Sequence, residues 1–98
     1  MTTEQFEQII GSQLEHCRLV LCQKAEEYAT VDRLHNFRIA ALLEGILDRQ
    51  ALAGMMAKHT VSIYDMCMSG LEYPLELWLE KITDHINYLL LLWAMCND

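Results

Sequence analysis

The chain has 98 residues, which bounds it to one domain, residues 1–98, with a modest core. Hydrophobic residues make up 53%, so the composition is not that of a disordered chain and leaves apolar surface for a partner subunit. The net charge of −7, with no basic tract, argues against wrapping nucleic acid, although a small anionic ligand in a local basic pocket stays compatible with it.

The first helix is read from about Thr3 to Tyr28, with the stripe Ile10, Leu14, Cys17, Leu21, Lys24, Tyr28 at helical spacing. Asp32 is read as the N-cap of a short second helix, Arg33–Glu44, which Gly45 stops. Asp48 is read as the cap of the third, Arg49–Ser69, which Gly70 ends. Pro74 falls at or near the first turn of the fourth, where a missing N–H does no harm. The segment Leu77–Cys96 reads as a buried helix. At about 100° per residue it carries two stripes: Leu75, Trp78, Leu79, Ile82, Ile86, Leu89, Trp93, and Leu77, Lys81, Asp84, Tyr88, Leu92, Met95. No stretch alternates with period two long enough to form a strand. The expected fold is all-α: an antiparallel four-helix bundle of three long helices and one short, with brief connections.

The longest apolar run, Tyr88–Cys96, is about half of the ~20 residues that cross a bilayer. No membrane association and no targeting segment are expected. Cys17, Cys22, Cys67 and Cys96 form no C-x-x-C pair, so free thiols in a reducing cytoplasm are the expectation. A cysteine–histidine nucleophile pair has little support, and His16, His35, His59 and His85 lack zinc-site spacing.

The informative residues are polar ones on apolar faces. A carboxylate such as Asp84 in an apolar stripe costs several kcal/mol unless something pairs with it. Lys81 stands one turn before it. On the first helix Lys24 sits in the core stripe with Glu27 on the same flank. The run Asp32-Arg33-Leu34-His35-Asn36-Phe37 packs four polar groups and an aromatic into the opening of the second helix, whose N-terminal N–H groups favour anions. On the third, His59 falls in the stripe Leu52, Met56, His59, Ile63, Met66, while Lys58 and Asp65 fall on another face with Gly54 and Ser62. His85 lies at the edge of the main stripe of the fourth. Each also has a plainer reading. Lys24 can snorkel, His59 can be a satisfied core histidine, Lys58–Asp65 can be a surface pair, and Asp32 a cap alone. The methionines of the third helix read as core filler. Convergence of charged groups from all four helices favours a pocket. Glu27, Asp65 and Asp84 suit a magnesium ion, and Lys24, Arg33, Lys58 and Lys81 suit phosphate.

Lys24-Ala25-Glu26-Glu27-Tyr28, Asn36-Phe37 with Ala40-Ala41, Ala53-Gly54-Met55-Met56-Ala57-Lys58 and Asp84-His85-Ile86-Asn87-Tyr88 together resemble small phage-borne proteins related to the MazG-like all-α nucleotide pyrophosphohydrolases, over roughly residues 17–93. The resemblance implies a homo-oligomeric bundle, dimeric or higher, that uses magnesium to cleave nucleoside triphosphates between the α and β phosphates. It implies metal ligation by an E-x-x-E and an E-x-x-D motif. Glu27 matches the second acid of the first motif and Asp84 the last acid of the second. The first acid of each is replaced by Lys24 and Lys81, which weakens a multi-magnesium site and favours direct phosphate contact.

The expected function is binding of a nucleotide, or a cyclic or modified nucleotide, in the host cytoplasm. Lys24, Arg33, Lys58 and Lys81 would meet phosphate, Tyr28, Phe37 and Tyr88 would flank the base, and Asn36 would contact the ligand. Glu27 and Asp84 would hold one magnesium or pair with the lysines, supported by His59, Asp65 and His85. Hydrolysis, sequestration of a nucleotide immune signal of the host, and a purely structural interaction bundle are the three outcomes left open.

Overall fold

Four α-helices follow one another along the chain: α1 (Thr3–Glu27), α2 (His35–Glu44), α3 (Asp48–Met68) and α4 (Leu75–Cys96). The computed structural model describes residues 1–27 and 32–98, with the backbone alone for 24–27. No strand occurs among the described residues. The chain is all-helical, as its periodicity predicts.

Local chemistry sets the helix ends. Thr2 and Gln5 form a reciprocal capping box at the start of α1. The Thr2 N–H donates to Gln5 Oε1 (2.8 Å), and the Gln5 N–H donates to Thr2 Oγ1 (3.1 Å). α2 begins two residues later than the sequence suggests. Asp32 Oδ1 accepts from the Leu34 N–H (2.9 Å) and Asp32 O accepts from the His35 N–H (3.1 Å), so Asp32 builds a turn ahead of the helix rather than capping it. α3 likewise includes Asp48, with Leu47 as its N-cap and Gln50 Oε1 accepting from the Leu47 N–H (2.8 Å).

Gly45 ends α2 in the left-handed region (φ +69°), and the N–H groups of Gly45 and Ile46 return to the carbonyls of Leu42 and Ala41. Gly45→Ala meets no neighbouring atom, so its cost is the backbone strain alone, about 1 kcal/mol. Thermal unfolding of that variant is expected about 4–8 °C lower. An unchanged Tm would show that this turn does not require a positive φ.

The helices do not close into an evenly packed bundle. α4 packs on α3 and on α1, α2 packs on α3, and among the described residues the backbone of α1 approaches that of α4 alone. The core gathers Leu34 and Phe37 from the start of α2, Leu52 from α3 and Met95 from α4, with Met55, Tyr88, Leu91 and Leu92 packed against it. α1 adds Cys17, which is fully buried, and a half-buried Leu21, while Ile10 and Leu14 of the same stripe are exposed. All four cysteines are free.

The two stripes of α4 take opposite roles. The stripe with Lys81 and Asp84 faces inward and carries the core residues Tyr88, Leu92 and Met95. The wholly apolar stripe is largely uncovered, with Leu75 79% and Trp93 67% exposed. The reading of Leu77–Cys96 as a buried helix is therefore corrected in part: the stripe with Lys81 and Asp84 is packed and the other is largely not. Among the described residues, no helix is long and apolar enough to cross a membrane.

Candidate functional site

Four helical segments meet around one cavity of about 180 Å³. Leu21 comes from α1, and Asp32, Arg33, His35, Asn36 and Phe37 come from the turn into α2. Met55 and His59 come from α3, and Asp84, Asn87, Tyr88 and Leu91 from α4. The i, i+3, i+4 spacing of Asp84, Asn87 and Tyr88 aims all three at the same space. Tyr88 meets Phe37 edge to face and His59 at a tilt of 39°. Phe37 meets Tyr88 at 6.4 Å between ring centroids, and His59 meets Tyr88 at 5.0 Å.

Asn87 is the unusual member. It is 4% exposed, and among the described residues neither its amide nitrogen nor its amide oxygen has a hydrogen-bond partner. A buried side-chain amide without partners costs roughly 1–3 kcal/mol. Its neighbour Thr83 shows the usual alternative: also buried, it receives a hydrogen bond from Gln13 Nε2 (2.9 Å) across the α1–α4 junction.

His59 is half-buried, and burial pushes its imidazole below the ordinary histidine range. The Asp84 carboxylate opposes that shift, while Lys58, Lys81 and His85 add to it. Because the folded value lies below the unfolded one, the neutral ring stabilises the fold fully above about pH 6.5, and that contribution is lost as pH falls from there through the folded value. The thermal midpoint of the wild type should fall with acidification in that window, and His59→Gln should flatten the dependence. Equal slopes for the two proteins would show that His59 does not titrate as described.

The predicted site residues separate into three groups. Arg33, Asn36, Phe37, His59, Asp84 and Tyr88 line the cavity. Lys58 and Asp65 are exposed and lie outside its wall, as does the half-buried Lys81, although Lys58 and Lys81 are near enough to act on His59. His85 is tied to Thr60 Oγ1 at 2.9 Å. The side chains of Lys24 and Glu27, and all of Tyr28, lie outside the described residues. Sequence reasoning did not single out Asn87, and it read Asp32 as a helix cap ahead of a ligand residue. Asp32 lines the cavity while Oδ2 accepts from Arg38 Nη1 at 2.9 Å, and Arg38 also pairs with Asp98.

Among the described residues, no group of three or more His, Cys, Asp or Glu side chains gathers to hold a metal. Asp84 is the one carboxylate of the expected magnesium pair whose place is described, and it stands in the cavity wall. Comparison with family models, with curated proteins and with solved structures finds no match to this chain.

Proposed function

We propose that the chain binds a nucleotide or nucleotide-derived phosphate ligand in the cavity between the four helices, with the base innermost and the phosphates toward the opening. The observation that carries this reading is the buried, unpartnered amide of Asn87. An amide offers an acceptor and two donors side by side, a pattern that a nucleobase edge can match bidentately. A phosphate would call for cationic donors at that depth. The aromatic rings of Phe37 and Tyr88 suit a flat ligand ring, and Arg33 carries the guanidinium for phosphate. At about 180 Å³ the cavity is below the roughly 300–1,000 Å³ of a whole-ligand pocket, so it suits one end of such a ligand. The resemblance to MazG-like pyrophosphohydrolases points to the same ligand class.

Binding without turnover is favoured over hydrolysis by one feature of the sequence. Lys24 and Lys81 stand where that family has metal-binding acids. Glu27 and Asp84 remain the residues that would hold a single magnesium, and no catalytic step is derived through it. On this reading the protein sequesters its ligand, as a phage protein that withholds a nucleotide signal from its host would.

Purified protein titrated calorimetrically with nucleoside mono-, di- and triphosphates and cyclic nucleotides, with and without magnesium, is expected to show saturable binding of at least one. Arg33→Ala should weaken it about tenfold or more, the value of one charge-assisted hydrogen bond. Ligand recovered intact after heat release supports sequestration, and product formation supports the pyrophosphohydrolase. Failure of the whole panel to bind would overturn the reading in favour of an interaction bundle.

A further inference from the structure

The uncovered stripe of α4 has a stricter period than a surface helix needs. Leu75, Leu79, Ile82, Ile86, Leu89 and Trp93 follow one another at steps of four, three, four, three and four. That is the a/d seam of a heptad repeat, the pattern that packs one helix along another rather than onto a broad core. The seam spans about 27 Å of helix at 1.5 Å per residue. Five of its six members are exposed, and Ile86 is half-buried. No charged residue interrupts it, and of the residues flanking it only Glu76 is charged.

The surface of the whole chain agrees. A folded monomer of 11.4 kDa is expected to expose about 5,800 Å², whereas this chain exposes 7299 Å². The excess, about 1,500 Å², falls within the roughly 1,000–2,500 Å² that each partner buries in an obligate dimer. The radius of gyration, 15.5 Å, likewise exceeds the ~13 Å of a closely packed chain of this length. Phe6, Ile9 and Ile10 in the first half of α1 are exposed as well, on the helix that packs on α4.

We propose that the apolar seam of α4 is the interface at which two copies of this chain pair, α4 against α4, about a two-fold axis. A two-fold contact sets the same patch against itself, so it tolerates no row of like charge. The seam meets that condition on a chain whose net charge of −7 would otherwise keep copies apart. Asp84, Asn87 and Tyr88 lie on the other side of α4, so pairing along the seam leaves the cavity intact, and this inference stands independently of the ligand reading.

Sedimentation equilibrium tests it on the full chain. The wild type is expected at twice the 11.4 kDa chain mass, and Ile82→Glu with Leu89→Glu at the single-chain mass with its helical circular dichroism retained. The pair Leu42→Glu and Leu43→Glu, exposed on α2 and off the seam, should leave the dimer in place. Should the double seam variant lose its helical signal, Ile82→Gln decides. That milder change should raise the dimer dissociation constant about tenfold or more, because it acts in both copies. A monomeric wild type would overturn the proposal and leave the seam to a different partner. An assembly whose mass and dissociation constant ignore the seam substitutions would overturn it equally.

Discussion

Asn87→Leu is expected to make the protein more stable and unable to bind its ligand. Leucine has nearly the shape of asparagine without its polar atoms. The substitution therefore removes a buried amide that has no partner among the described residues and replaces it with an apolar group in a cavity wall that Leu91 and Phe37 also line. Relief of the unpaired amide contributes about 1–3 kcal/mol. For a domain of this size each kcal/mol raises Tm by about 4–8 °C. Binding measured by the same calorimetric titration should disappear at concentrations that saturate the wild type. A gain in stability together with a loss of binding is the mark of a residue retained for function. Lower stability in Asn87→Leu would show that the amide is satisfied in solution, and the argument for a ligand at the cavity floor would fail with it.

Leu52→Ala is expected to have the opposite effect and a larger one. Leu52 is 0% exposed and sits where α2, α3 and α4 meet, against Leu34, Phe37 and Met95. Truncating a fully buried leucine costs about 2–5 kcal/mol, part lost transfer energy and part cavity. The buried cluster is small, and among the described residues the backbone of α1 approaches that of α4 alone, so few other contacts can compensate. Thermal unfolding should move down by at least about 10 °C. Leu43→Ala, at a position 82% exposed, should shift stability by less than about 0.5 kcal/mol. Comparable losses for the two variants would show that the core lies elsewhere.

The helices were legible because their punctuation is physical. Gly45 and Gly70 both take the positive φ that ends a helix cheaply, and Pro74 stands immediately before α4. The start of α2 was misjudged because Asp32 satisfies N–H groups ahead of the helix as readily as at its cap. In α4 both stripes were visible, but which one faces the core was not. Hydrophobicity alone favours burying the all-apolar stripe, whereas the chain buries the one that brings Tyr88, Leu92 and Met95 onto Leu52 and Phe37.

At the site, Arg33, Phe37, His59, Asp84 and Tyr88 were legible because charge, or an aromatic ring beside charge, stands out on an apolar helix. Asn87 stands three residues after Asp84 on the cavity side, but it carries no charge and sits between Ile86 and Tyr88, so its residue type does not mark it. Only its burial and its missing partners do. Lys58 and Asp65 are both exposed and lie outside the cavity wall.

The side-chain amide of Asn87 offers the most direct test, because its ¹⁵N and ¹H resonances can be followed while nucleotides are added. A single nucleoside phosphate that shifts the Asn87 amide, together with ring resonances of Phe37 and Tyr88, at saturating concentration is the result expected. Resonances that stay in place through the whole panel, or that move only at residues outside the cavity, would contradict the account.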